Sequence, residues 1–284
     1  MQQISTEDKE ISSVLRKFWE IENDEEEIEQ RFSVSDSQLL EETRKHMKIN
    51  NGRFVMPLPW KKNVSALEEN LRYAKKRLEC TTKRLRREPE LLVNYQNIIK
   101  EYEKKGYIRR IDTDVNCNYF IPHFPILRPD KETTKVRIVF DASALCNGTS
   151  LNSKLFPGPK LQAKIFDVLL RFRQYKYAVT CDISEMYLQI EVCESDKKYL
   201  NFLWECEDGK LLQYQFNRLV FGLNCAPFLA QFALRELADR NKDTHVIAVD
   251  ALLNSTYMDD TIHSVKEYYD GKVLVKQLKD VLGK

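Results

Sequence analysis

The sequence lacks the hallmarks of several protein classes. Its seven cysteines are scattered without a Cys-x-x-Cys pair, and with only four histidines no zinc-binding spacing occurs. It has neither the hydrophobic core of an N-terminal secretion signal nor an apolar run of about 18 residues, so we expect no membrane span and no membrane partner. An odd number of cysteines without such a signal is typical of reduced thiols, and we expect an intracellular protein.

Charge is unevenly distributed along the chain, although the formal net charge is only +2. Residues 1–43 carry 4 Lys and Arg against 13 Asp and Glu, whereas residues 44–110 carry 19 against 7. The rest of the chain is close to balance, with 22 against 23. An acidic leader followed by a basic block predicts a polyanionic partner that binds mainly through the block. The alternative is a helix whose charged face is only solvated.

Residues 1–50 are polar and rich in glutamate, and we interpret them as a partly helical linker. Two amphipathic helices are predicted behind it. The first follows a capping box at Ser65-x-x-Glu68, and the second runs from Pro89 to Gly106. The apolar stripe of the first helix comprises Leu67, Leu71, Ala74, Leu78 and Leu85. Basic residues lie mostly off this stripe, at Lys75, Lys76, Arg77, Lys83, Arg84, Arg86 and Arg87. A purely structural interaction module in residues 1–106 is an alternative for this part of the chain.

Strand patterns dominate the next part of the chain. Segments 107–111, 119–124 and 136–140 alternate apolar and polar residues, which predicts strands of one small sheet. A helix is predicted over 161–174, followed by a strand that ends at Asp182.

The last part of the chain mixes hairpins and helices. Asp208-Gly209 between two apolar runs, 199–206 and 211–216, indicates a β-hairpin. A helix from Pro227 to about Arg240, an acidic hairpin and a helix from Tyr268 to Leu282 complete the pattern. From Leu161 the order is α-β-β-β-α-β-β-α, which predicts an α+β fold with an antiparallel sheet backed by helices.

Two apolar segments carry acidic residues where they end. We predict a hairpin over Leu252–His263 with Asp259 and Asp260 at its tip, and a strand that delivers Asp182 at its end. Adjacent carboxylates repel each other, and hard cations such as Mg²⁺ prefer oxygen ligands. Three carboxylates from two strands can hold two ions roughly 3.5–4 Å apart for nucleotidyl transfer. An Asp-Asp pair is common on solvated loops, and taken alone it would favour that interpretation.

Four segments in a fixed order resemble the reverse transcriptases. Tyr257-Met258-Asp259-Asp260 resembles their catalytic box, and Asp182 with Tyr187 resembles their first palm motif. Phe221-Gly222-Leu223-Asn224-Cys225-Ala226-Pro227 with Gln231 resembles the second palm motif. The segment 135–143, Lys-Val-Arg-Ile-Val-Phe-Asp-Ala-Ser, resembles the basic fingers motif. The wording of these motifs, together with Ser150-Leu151-Asn152 and Gly158-Pro159, is most similar to the Pao/BEL group of LTR retrotransposons.

The resemblance implies a right-hand fold with fingers and palm, cut from a Pol polyprotein. It divides the chain into an acidic linker (1–50), a basic helical part of the fingers (51–110), the fingers (111–176) and the palm (177–284). It implies an RNA-directed DNA polymerase that acts on dNTPs and a primed RNA or DNA template. The expected location is a cytoplasmic retroelement particle with access to the nucleus.

The resemblance also assigns roles to individual residues. Asp182, Asp259 and Asp260 would be catalytic and would bind two Mg²⁺, or Mn²⁺ instead, with the backbone of Ile183 as a further ligand. Tyr187 would exclude a ribose 2′-hydroxyl. The nucleotide would be bound by Arg137, Lys135, Lys131, Tyr187, Phe221, Gly222 and Gln231. Primer and template would contact Tyr257, Met258 and Pro227.

The sequence departs from the family pattern at its end. It stops at Gly283-Lys284, before the family's primer grip and thumb, and no protease, RNase H or integrase pattern occurs. Two functions therefore follow. One is an active polymerase domain, and the alternative is a truncated remnant that binds nucleic acid without polymerising.

Overall fold

The computed structural model describes residues 33–61, 67–111, 119–128, 136–206 and 208–283. Residues 39–284 form one compact unit. The helices are α1 Val34–His46, α2 Leu71–Arg86, α3 Pro89–Lys104, α4 Leu151–Lys154, α5 Ile165–Phe172, α6 Glu194–Lys197, α7 Ala226–Asn241, α8 Val246–Asn254 and α9 Tyr268–Leu282, with a 3₁₀ turn at Met186–Gln189. The strands are β1 Lys48–Asn50, β2 Arg53–Met56, β3 Ile108–Ile111, β4 His123–Leu127, β5 Val136–Phe140, β6 Tyr177–Asp182, β7 Glu191–Val192, β8 Asn201–Glu205, β9 Leu211–Phe216, β10 Thr256–Tyr257 and β11 Asp260–Val265.

The first predicted helix begins later than expected. It starts at Leu71, so Glu68 lies before it and the predicted capping box is wrong; Ser65 lies outside the described residues. Asn70 occupies the N-cap without capping the helix, because its side chain is used elsewhere. Its amide donates to the Phe120 carbonyl at 2.8 Å and accepts from the Phe120 N–H at 2.7 Å. The residue at the N-cap of this helix therefore makes a tertiary contact and not a local cap.

Three residues of the predicted apolar stripe, Ala74, Leu78 and Leu85, are buried in α2. Leu71 is half-buried, and Leu67 lies before the helix. The second helix begins at Pro89, which suits the first turn because proline lacks an N–H. Gly106 follows that helix with φ +71, a left-handed conformation that glycine adopts without steric cost.

The strands of residues 107–140 do not form one sheet, so that prediction is wrong. Among the described strands, β4 and β5 pair only with each other. β3 instead pairs with β9, in a three-stranded sheet of order β3-β9-β8. Local alternation predicts a strand but carries no information on its partner, which explains the error. The predicted hairpin of β8 and β9 is confirmed.

A second antiparallel sheet of order β10-β11-β6 contains the acidic segments. Its first arm is shorter than predicted, because residues 252–254 belong to helix α8. Ala248, Ala251 and Leu252 of this helix are buried, so the apolar run satisfies a helical face and not a strand. The predicted order of elements therefore lacks α8, and it also lacks β7 and α6.

Helix α5 is shorter than the predicted segment 161–174. Leu161 is buried outside the helix, and its carbonyl accepts a hydrogen bond from Arg235 Nε at 2.9 Å. The predicted helices after Pro227 and over Tyr268–Leu282 are both confirmed.

The hydrophobic core carries an aromatic cluster between β5 and the sheet of β8 and β9. Phe140 and Phe216 meet edge to face, with ring centroids 4.8 Å apart, and Phe202 packs against both rings. The six cysteines within the described ranges are free thiols. None of the helices in those ranges is long and apolar enough to cross a membrane.

Candidate active site

The register of β6 and β11 brings two of the predicted acidic residues together. Asp182, the last residue of β6, lies directly opposite Asp260, the first residue of β11. Asp259 precedes it in the tight turn from β10, where Met258 adopts φ +58. The N–H of Ile183 donates to the Asp259 carbonyl at 2.8 Å and so continues the pairing past Asp182. The three aspartates therefore lie at one end of this sheet.

Like charges dominate the electrostatics at this end of the sheet. Partial desolvation raises the pKa of the Asp182 carboxyl above its ordinary value, and the charges of Asp259 and Asp260 raise it further. All three side chains are exposed. Mutual repulsion of this kind is relieved by a bound cation, and oxygen ligands suit a hard divalent ion.

The carboxylates do not form a ready-made ligand set. Over the ranges that the structure describes, no group of three or more His, Cys, Asp and Glu side chains is arranged to hold a metal ion. The donor chemistry of Asp182, Asp259 and Asp260 nevertheless fits a divalent ion, because their charges act on one another across the sheet.

Helix α7 contacts the turn that carries Met258 and Asp259. Gln231 is buried, and its Nε2 donates to the Met258 carbonyl at 3.0 Å. The same helix packs against the 3₁₀ turn that carries Tyr187. Pro227 lies in its first turn. One helix thus connects the turn of Asp259 with the segment that follows Asp182.

Two aromatic side chains meet beside the acidic residues. The rings of Tyr187 and Phe221 lie 4.9 Å apart at a tilt of 50°. Burial raises the pKa of the Tyr187 phenol, and the charge of Asp259 raises it further, which places the phenol near that carboxylate. Phe221 is 42% exposed, so this pair forms an accessible apolar wall.

Gly222 is required by its surroundings. Its φ is +103, and a Cβ on this residue would lie 1.9 Å from the carbonyl oxygen of Phe140. Only glycine permits so close an approach of two backbone segments.

Asn152 holds the same loop, and the sequence analysis missed this role. Its Nδ2 donates to the Gly222 carbonyl and to Ser143 Oγ, each at 2.8 Å. Its Oδ1 accepts from the Asn224 N–H at 2.9 Å. The signal was present only as part of the Ser150-Leu151-Asn152 motif, whose contacts are not visible in the sequence.

The predicted residues of the fingers are less well placed. Arg137 is exposed on β5, opposite Ile126, and its charge acts on Tyr102. No contact links it to the aspartates in the part of the chain described. Lys131 and Lys135 lie outside the described residues, whereas Tyr257 pairs with Asp260 in the hairpin. The structure thus brings the three aspartates together at one sheet end and shows no contact between them and Arg137 among the described residues.

Comparison with known proteins identifies a family. The family described as reverse transcriptase (RNA-dependent DNA polymerase) matches residues 128–284, more than half of the chain. No curated protein matches the chain.

Proposed function

Because the chain belongs to the reverse transcriptase (RNA-dependent DNA polymerase) family, we propose that it extends a primer by adding deoxynucleotides opposite an RNA template. The pairing of Asp182 with Asp260 beside Asp259 is the observation that carries this proposal. RNA-directed DNA synthesis needs a polyanionic template and primer, which agrees with the basic block of residues 44–110.

The residues of the sheet end would act by position and charge. Asp182, Asp259 and Asp260 would hold divalent ions, with Mg²⁺ as the proposed species and the backbone of Ile183 beside them. When bound, such ions lower the pKa of a hydroxyl nucleophile and stabilise the charge on a leaving group. Little covalent work remains for the protein in phosphoryl transfer, so the alignment of these carboxylates is its main contribution.

The aromatic pair would select the sugar. Tyr187 would lie under the incoming nucleotide and exclude a ribose 2′-hydroxyl, while Phe221 and Gly222 would line the pocket. Gln231 would support this arrangement through the Met258 carbonyl, to which it already donates. We assign the triphosphate to Arg137, Lys131 and Lys135, and the primer and template to Tyr257, Met258 and Pro227, on the family resemblance alone.

The finer classification is also a proposal. We assign residues 51–176 to the fingers and 177–284 to the palm of a right-hand fold, with residues 1–50 as a linker. The order of motifs supports this division. The motif wording supports an LTR retrotransposon of the Pao/BEL group and a cytoplasmic particle as its location.

Primer extension on an RNA template tests the proposal. We expect Mg²⁺-dependent incorporation of dNTPs that ends when the ion is chelated. Asp259→Asn should lower the rate by about a hundredfold or more, since metal charge stabilisation contributes several kcal/mol to the transition state. The matched control, Asp243→Asn, removes an exposed carboxylate remote in sequence from the three aspartates. Binding of the primed template without incorporation by the wild-type chain would instead establish the inactive alternative.

A further inference from the structure

The turn between Asp182 and Tyr187 contains a residue in an unfavourable conformation. Glu185 adopts φ 51 and ψ 38, in the left-handed region. For a residue other than glycine this conformation costs about 1 kcal/mol or more, and it persists only where the surroundings hold it. The question is therefore what holds Glu185.

The side chain of Glu185 is bound by residues from a distant segment. Lys105 Nζ donates to both of its carboxylate oxygens, at 3.0 and 3.1 Å. Tyr107 Oη donates to Oε2 at 2.7 Å. Lys105 and Tyr107 flank Gly106, in the bend that joins α3 to β3.

This bend is itself anchored without Glu185. Asn217 Nδ2 donates to the Gly106 carbonyl at 3.0 Å, and the Asn217 N–H donates to the Tyr107 carbonyl at 2.8 Å. Lys105 also pairs with Glu101 at 2.8 Å. The bend at Gly106 therefore has its own anchoring contacts, and it can fix the position of the turn at Glu185.

The ion pair between Lys105 and Glu185 contributes little to the stability of the fold. Its effect on the position of the turn can therefore be measured without unfolding the protein. The side chains of Lys105 and Glu185 are 38% and 32% exposed. Exposed ion pairs contribute about 1 kcal/mol or less to stability. Breaking this ion pair should therefore move the turn without unfolding the protein.

We propose that Glu185 is a positioning residue, whose bonds to Lys105 and Tyr107 set the backbone of the turn and thereby the orientation of Asp182 and Tyr187. The expected kinetic effects rest on the proposed function. The contact of Glu185 with Lys105 and Tyr107 is independent of that function. It adds to the site a residue that the motif spacing leaves unassigned.

Two variants test the inference against a matched control. Glu185→Gln weakens both contacts, and Tyr107→Phe removes one hydrogen bond with little change in shape. Glu101→Gln is the control, because it removes the other carboxylate that pairs with the same lysine. The full chain is used in each case, with its thermal midpoint measured to show that folding is retained.

The first measurement is hydrogen–deuterium exchange of the amides of residues 183–186. We expect exchange up to about fivefold faster in Glu185→Gln, the change that corresponds to the loss of about 1 kcal/mol from an exposed ion pair. Tyr107→Phe should give a smaller change in the same amides, and Glu101→Gln none. Equal exchange in all four proteins would overturn the inference.

The second measurement is primer extension. Both variants should raise KM for dNTP and reduce the preference for dNTP over rNTP, because Tyr187 moves with the turn, while the control keeps wild-type values. A uniform fall in kcat with unchanged sugar preference would contradict positioning of Tyr187. If the wild-type chain incorporates no nucleotide, the proposed function fails, and the exchange measurement alone then decides the role of Glu185.

Discussion

At the scale of the single residue, Gly222 shows how a backbone contact dictates side-chain identity. It lies between the aromatic wall of Phe221 and the strand that ends at Phe140. The Gly222 carbonyl and the Asn224 N–H are both hydrogen-bonded to the side chain of Asn152. These bonds hold the loop close to the Phe140 carbonyl. The residue therefore combines a conformational and a steric requirement.

We expect Gly222→Ala to destabilise the fold by about 2 kcal/mol or more, since the added methyl combines a steric clash with backbone strain. The measurement is the midpoint of urea unfolding. Gly148→Ala is the matched control, because Gly148 has φ +77 but nothing within 4 Å of an added Cβ. A loss in the control as large as in Gly222→Ala would mean that conformation alone, and not the Phe140 contact, determines the cost.

His123 is a second residue whose surroundings determine its chemistry. It is buried, and its Nε2 lies 2.7 Å from the Leu203 carbonyl, which can only accept. Nε2 must therefore carry the proton, and Nδ1 accepts from the Tyr95 hydroxyl. Burial lowers the pKa of His123 to about 4, against which the bond to Leu203 is a smaller, opposing effect.

Stability should consequently fall in mild acid. The unfolded histidine has its ordinary pKa of about 6.5, so between that pH and about 4 the unfolded chain binds a proton that the folded chain does not. The contribution of His123 to the free energy of unfolding is fully present above the pKa of the unfolded histidine. It is lost as the pH falls to the pKa of the folded histidine, by about 3 kcal/mol in total. Urea unfolding of wild type and His123→Gln across this range measures it, and the variant should lack this part of the slope. Parallel curves for the two proteins would refute the assignment.

At the scale of the element, a loop and a short helix are joined through one side chain. Asn152 lies in α4 and binds the loop that leads from Gly222 to Asn224, which in turn precedes α7. Because α7 supports the acidic turn through Gln231, this contact connects the short helix with the sheet end. An amide is suited to the position, since it donates and accepts at once.

Asn152→Asp tests this connection. The aspartate keeps the acceptor for Asn224 but loses the donor for Gly222, and it directs a negative charge at a carbonyl oxygen. We expect a loss of about 1–3 kcal/mol of stability and a higher KM for dNTP. Ser143→Ala removes only one of the two acceptors of the Asn152 amide and should have a much smaller effect on both quantities. Similar losses in the two variants would show that the Gly222 contact has no special importance.

At the scale of the whole molecule, the basic block is only partly available to a ligand. Arg77 pairs with Asp141 at 3.3 Å, and Arg86 pairs with Glu205 at 2.7 Å. Lys75 and Lys76 are exposed on the same helix. The sequence alone counts all of these as cations, whereas the structure separates those already engaged from those that face solvent.

We expect Lys75→Glu with Lys76→Glu to weaken binding of a primed RNA template and to reduce the slope of log affinity against log salt by about 2, one for each phosphate that is no longer neutralised. Fluorescence anisotropy at several salt concentrations measures both quantities. Lys272→Glu with Lys276→Glu changes the net charge equally on the C-terminal helix α9 and serves as the control. Equal weakening by both pairs would indicate a general charge effect and not a binding face.

Predictions from local patterns were accurate where periodicity and turn residues within one segment determine its structure. The helix over Tyr268–Leu282, the strand over Val136–Phe140 and the β8–β9 hairpin follow from periodicity and turn residues. Errors arose where a distant partner decided the outcome. β3 pairs with β9, and the run before Ser255 packs as a helix.

The sequence by itself determined the chemistry at the sheet end: a carboxylate at the end of a strand, two more in a tight turn, and an aromatic residue a few positions after the first. These features depend only on residues that are close together in the sequence, and local propensity can therefore specify them. Only the tertiary structure decided that Asp182 lies opposite Asp260, that Asn152 binds the Gly222 loop and that Lys105 and Tyr107 hold Glu185. Each of these contacts joins segments far apart in the chain, and their pairing is set by the packing of the whole fold, which no local pattern specifies.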